Sequence, residues 1–168
     1  TSGTGGFLTS ALKVLDAQVQ TVEDRTVYSN SIYGIEKKAL PFLLCATNML
    51  LHDIDNPRII HGNSLEKNVR EYKESDRFDV ILMNPPYGER ISTNDLLGLY
   101  QMIGERLKHA FVGNEAWVLS YREECFDQIG LKPSKKVPLF NGALECEFRK
   151  YEIFDGKYKE FKSQEGEG

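Results

Sequence analysis

Phe78-Asp79-Val80-Ile81-Leu82-Met83-Asn84-Pro85-Pro86-Tyr87-Gly88 is the stretch that decides the fold. Its first six residues form an apolar run of strand length, expected to be buried on both faces. The run stops at two adjacent prolines, which fix φ and supply no N–H to a ladder. A rigid loop at the carboxyl end of a strand sits where open α/β sheets bind ligands. Within four residues it offers the Asn84 amide oxygen, the Pro85 carbonyl and the Tyr87 ring, with Pro86 stiffening the turn. That set suits methylation of an exocyclic base amine, a poor nucleophile because its lone pair is delocalised into the ring. Two acceptors, Asn84 and Pro85, can each take one N–H and aim the lone pair at a methyl donor. Tyr87 can stack on a base that has left its helix. Alignment and preorganised acceptors supply the catalysis, and the reading calls for no metal.

Outward from this loop the chain alternates. Upstream, apolar residues at helical spacing run from Phe7 to Leu15, and Ser31 to Glu36 reads as a strand ending on a carboxylate. Ala39 to His52 is apolar around much of its circumference and is expected to be a well-buried helix, with Pro41 in its first turn. Arg58 to Ile60 is a strand followed by a turn at His61-Gly62-Asn63-Ser64, whereas Asp16 to Asn30 is only a polar stretch. Downstream, Asn94 is the expected cap of a helix carrying Leu96, Leu97, Tyr100, Ile103, Leu107 and Phe111. Ala116 to Ser120 is a strand and Glu123 to Gln128 a short helix. Val137–Phe140 and Leu144–Ile153 are strands joined across Asn141-Gly142, a hairpin signal.

The pattern predicts an α/β fold, a mostly parallel sheet with an antiparallel C-terminal hairpin. Three further motifs fall at strand ends. Gly3-Thr4-Gly5-Gly6 opens a helix, and glycine there lets backbone approach a ligand at a helix N-terminus. Glu36 can accept hydrogen bonds from both ribose hydroxyls of a nucleoside cofactor, although a surface carboxylate in a helix cap beside Lys37 and Lys38 explains it as well. Asn63 and Ser64 are placed to read an adenine ring, although a plain turn explains them as well.

The 168 residues carry a net charge of −4, a poor footprint for gripping phosphates unaided, so a nucleic-acid substrate calls for a further domain or subunit. Lys132, Lys135 and Lys136 form a small basic cluster that reads as a solvated loop. No apolar run approaches the ~20 residues of a membrane span. Cys45, Cys125 and Cys146 are widely spaced and form no CxxC pair, which points to reduced thiols in a cytoplasmic protein. His52, His61 and His109 lack ligand spacing, so no metal site is expected. The chain starts inside a motif, at Thr1, and reads as a fragment. Residues 1–154 are expected to be one catalytic domain and 155–168 a disordered polar tail.

Two resemblances emerge from these motifs. Residues 3–87, with GTGGFL, TVEDR, NSIYGIEKK, LLCATNMLLHDIDNP, GNSL and FDVILMNPPYG, resemble the modification subunits of type I restriction-modification systems, which methylate adenine N6 in DNA. Residues 78–162, with NPPYGER, LLGLYQMIGERLKHAF, the strand around Trp117 and LFNGALECEFRKYEI, resemble THUMP-containing methyltransferases of guanine N2 in large-subunit ribosomal RNA. The two meet in FDVILMNPPYG, and a composite chain is one reading of that junction. Both imply a class I methyltransferase fold of Rossmann-like type, with S-adenosyl-L-methionine as cofactor. They imply cofactor contacts from Thr1, Gly3, Thr4, Gly5, Gly6, Phe7, Glu36, Asn63, Ser64 and Asn84. They also imply a first strand before the glycine loop, which the sequence lacks, and target-recognition domains outside it. Because the elements after the loop, including Gly88-Glu89-Arg90, are of the RNA type, guanine N2 is favoured. Adenine N6 and an inactive truncated domain are the alternatives.

Overall fold

The computed structural model describes residues 2–66, 68–71, 73, 78–86 and 92–155. Thr1, Tyr87, Gly88, Glu89, Arg90 and the tail from residue 156 onward lie outside them. The chain divides into two compact units, Thr1–Glu66 and Lys67–Gly168.

The first unit runs α1 (Gly6–Asp16), α2 (Val22–Ser31), β1 (Tyr33–Glu36), α3 (Ala39–Leu50) and β2 (Arg58–His61). β1 and β2 pair in parallel, Glu36 opposite His61. Leu12, Tyr28, Met49 and Ile54 form the core, with Leu8, Leu15, Val19, Ile32 and Ile59 packed against it. α2 occupies most of what sequence reading left as a polar stretch. Its start is fixed by a capping box: the Thr21 hydroxyl accepts from the Asp24 N–H, and the Asp24 carboxylate accepts from the Thr21 N–H. α3 departs from expectation in burial. Only Cys45 and Met49 are fully buried, while Leu40, Leu43, Leu44, Leu50 and Leu51 are exposed. Within this unit β1, β2 and α1 pack on one side of the helix, and among the described residues of the unit no element covers the exposed leucines on the other.

The second unit begins with a single 3-10 turn at Val69–Glu71 and continues β3 (Val80–Met83), α4 (Thr93–Ala110), β4 (Glu115–Ser120), α5 (Glu123–Ile129), β5 (Lys135–Asn141) and β6 (Leu144–Glu152). The sheet order is β3-β4-β6-β5. β3 is parallel to β4, and β6 runs antiparallel to both β4 and β5, which gives the predicted C-terminal hairpin. α4 buries Leu96, Tyr100, Ile103 and Leu107 at helical spacing and packs on α5. Gly104 makes that packing possible, because a Cβ there would overlap the Ile129 carbonyl. The cap of α4 is Ser92 and not Asn94: the Ser92 hydroxyl accepts from the Asp95 N–H and donates to the Asp95 carboxylate. All three cysteines are buried and unbonded.

The architecture is the class I methyltransferase fold in fragment form. Among the described residues, the expected single sheet is present as two. β1 pairs with a strand on one side only, and so does β3. Among the described residues β3 is an edge strand, and it is not buried on both faces as expected: Val80 is half exposed and Ile81, Leu82 and Met83 are half-buried. No helix among the described residues is long and apolar enough to cross a membrane.

Candidate active site

In the first unit the glycine loop, the end of β1 and the turn after β2 converge. The Ser2 N–H donates to the Ile35 carbonyl at 2.9 Å, which lays the start of the chain along β1. The Gly3 N–H donates to Glu36 Oε2 at 2.9 Å, and the Lys38 N–H donates to Glu36 Oε1 at 2.9 Å. The Gly62 N–H donates to the Glu36 carbonyl at 2.9 Å, which brings the Asn63-Ser64 turn to the same strand end. Glu36 is 4% exposed. An ionised carboxylate has about four lone-pair sites and these contacts fill two, so acceptor capacity remains.

Gly5 carries φ 91, and a Cβ on it would lie 3.1 Å from Cys45 Sγ. A residue with a side chain would be strained there and would push the loop off α3. The loop runs into α1, whose N-cap Gly5 makes no side-chain capping bond. The helix thus starts with first-turn N–H groups not capped by a side chain, a favourable position for a carboxylate. The Asn48 side chain of α3 donates to the Thr4 carbonyl at 2.8 Å and holds the loop from the other side. Sequence reading missed Asn48. Its one signal was a lone amide in an otherwise apolar helix. Burial pushes the Cys45 thiol above its ordinary range, so it packs as an inert small residue beneath the loop.

Asn63 is turned inward on its own loop. Its Oδ1 accepts from the Leu65 N–H at 3.2 Å and its Nδ2 donates to Glu66 Oε1 at 3.2 Å. The turn is at the expected strand end, and its side chain is engaged in shaping it. Ser64 and Phe7 are half-buried nearby in sequence to these elements, Gly6 is exposed as the first residue of α1, and Thr1 lies outside the described residues.

In the second unit Asn84, Pro85 and Pro86 follow directly on β3, whose last residue, Met83, is paired with Val118 of β4. Pro85 is buried, and Asn84 and Pro86 are exposed. The loop is thus anchored by one proline ring and presents the asparagine at the carboxyl edge of a parallel pair. Tyr87 lies outside the described residues. No group of three or more acidic, histidine or cysteine side chains suited to a metal occurs among the described residues.

The sequence profile of the family described as N-6 DNA Methylase matches residues 1–123. The chain belongs to the N-6 DNA methylase family. The methyl donor of this family is S-adenosylmethionine, and the loop and acid of the first unit fit such a group. The methylase subunit of the type I restriction enzyme EcoEI of Escherichia coli is 51% identical over 88 residues, covering 51% of this chain and 18% of that protein. The ribosomal RNA large subunit methyltransferase K/L of Photobacterium profundum is 37% identical over 108 residues, covering 62% of this chain and 15% of that protein. The two matched shares together exceed the chain, so the matches have a stretch in common. A crystal structure assigned to the modification subunit of a type I restriction enzyme from Vibrio vulnificus YJ016 superposes with TM-score 0.69 and 30% identity. It covers 90% of this chain and 38% of that one. The chain therefore spans less than a fifth of the length of these two curated relatives.

Proposed function

We propose that this methylase-family chain is catalytic machinery for methyl transfer to an exocyclic amine of a purine in nucleic acid, with guanine N2 of large-subunit ribosomal RNA the favoured target. The observation that carries the reading is Asn84, exposed at the carboxyl end of β3 on a buried Pro85. S-adenosylmethionine supplies an electrophilic methyl on a sulfonium. Glu36 would accept from its ribose hydroxyls with the lone pairs that the Gly3 and Lys38 N–H groups leave open, and the N–H groups at the start of α1 would hold its carboxylate. Asn84 Oδ1 and the Pro85 carbonyl each accept one N–H of the target amine and draw its lone pair out of conjugation. Fixed acceptors of this kind act without reorganising during the reaction. Tyr87 stacks on the extruded base.

The preference for guanine rests on the chain beyond the loop, where the sequence is of the ribosomal RNA type, and on similarity to the K/L methyltransferase. Adenine N6 in DNA is the second reading. It is favoured by a family match that runs past the loop to residue 123 and by the likeness to a modification subunit across 90% of the chain. Nucleoside analysis after methyl transfer to ribosomal RNA and to duplex DNA tests the choice. N2-methylguanine supports the first reading and N6-methyladenine replaces it with the second.

A further inference from the structure

α3 turns Cys45 and Met49 into the core of its unit and leaves its leucines outside. Leu40, Leu43, Leu44, Leu50 and Leu51 are 45–75% exposed. They occupy the first, fourth and fifth places of two successive heptads, a stripe of the width that a helix shows toward a core. Thr47, in the first place of the second heptad, turns its hydroxyl onto its own helix, where it donates to the Leu43 carbonyl at 2.9 Å. The face is therefore apolar from end to end. It presents on the order of 500 Å² of surface, a size that in soluble monomers marks an interaction site.

The charges at the two ends of α3 say what would cover it. Lys37 and Lys38 precede the helix, Asp53 and Asp55 follow it, and all four are exposed and make no ion pair among the described residues. Cations at a helix N-terminus and anions at its C-terminus oppose the helix dipole, so they do not serve α3 itself. They do serve a second α3 lying antiparallel to the first. About a two-fold axis at Cys45, Leu40 meets the partner's Leu50, Leu43 meets the partner's Thr47, and Lys37 meets the partner's Asp53. The same contacts repeat at the other end, so the surface is complementary to itself and closes at two copies. A parallel pairing would set lysine on lysine and aspartate on aspartate. Two copies together bury on the order of 1,000 Å², the lower end of specific interfaces, which fits a weak and reversible pair.

We infer that the exposed face of α3 is a homodimer interface, an antiparallel pair of α3 helices with leucines at the centre and a lysine–aspartate match at each end. Sedimentation equilibrium of the whole chain over a hundredfold range of concentration tests it. The mass should rise from one chain to two and stop there, and the dimer should weaken as KCl is added and the end charges are screened. Leu43→Glu with Leu50→Glu should keep one chain's mass throughout, with an unchanged melting temperature at low concentration because both leucines are exposed. Lys37→Glu with Lys38→Glu should weaken the dimer several-fold, and so should Asp53→Asn with Asp55→Lys. Mixing these two charge variants should restore pairing, since each then meets opposite charge at both ends. One chain's mass at every concentration overturns the inference, as does a mass that climbs past two. So does a dimer that survives the paired leucine changes, strengthens with salt, or is not recovered in the mixture.

Discussion

The Gly3 N–H and Glu36 Oε2 lie 2.9 Å apart, and this one hydrogen bond joins the glycine loop to the end of β1 across 33 residues of sequence. With the Lys38 N–H on the other oxygen, the Glu36 carboxylate is both a scaffold for the loop and a candidate ligand for the cofactor ribose. Glu36→Gln is therefore not conservative. Either orientation of the amide sets its NH2 group against an N–H donor. Hydrogen bonds to a charged group are worth ~1.5–3 kcal/mol. Titration calorimetry should show S-adenosylmethionine affinity about 10- to 100-fold lower in both Glu36→Gln and Glu36→Ala. Unchanged affinity in Glu36→Ala would remove this residue from the cofactor site.

The underside of the loop is testable through Gly5. Gly5→Ala meets two obstacles, the positive φ and the Cys45 sulfur 3.1 Å from the new carbon. The left-handed conformation costs an ordinary residue ~1–2 kcal/mol. Adding Cys45→Ala should recover the steric share and leave the backbone share. Full recovery of the melting temperature in the double variant would show that φ is not a constraint at Gly5.

The positions of these elements were legible in the sequence, because Glu36 and Asn84 each sit at the end of an apolar run that punctuation residues close and the glycine loop opens an apolar run at helical spacing. What could not be read depended on partners distant in sequence or on which face was covered. The second role of Glu36 comes from Gly3, and the role of Asn48 from Thr4, 44 residues away. The α2 helix was hidden because its apolar stripe is weak and its identity rests on the Thr21–Asp24 box. The choice of Ser92 over Asn94 turns on Asp95, three residues after the serine, whose N–H donates to the Ser92 hydroxyl and whose carboxylate accepts from it. α3 has the composition of a buried helix, and composition alone does not show which of its faces the described neighbours in its unit cover.

The pH response is expected at Glu123. Its hydrogen bond with Arg149 holds the carboxyl below the ordinary value of 4.5. A depressed carboxylate contributes stability that is fully present above its unfolded value and is lost as pH falls through the folded one. The Glu123 side chain is 65% exposed, so solvent screens the effect and the contribution is small. The wild-type melting temperature should drop as pH falls below about 4.5, with a shallower drop in Glu123→Gln. Parallel curves for the two proteins would show that the pair adds no acid-sensitive stability.

The central claim is that Asn84 accepts a proton-bearing amine, and its own substitution series tests that most directly. The measurement is tritiated methyl transfer from S-adenosylmethionine to ribosomal RNA and, separately, to duplex DNA. Asn84→Ala should cut the rate by ~10²–10³, the scale for deleting one preorganised polar contact, while cofactor affinity is kept. Asn84→Asp retains an acceptor and should keep partial activity, and Asn84→Leu should have none. Full activity in Asn84→Leu, or a product methylated on a pyrimidine ring carbon, would contradict the account.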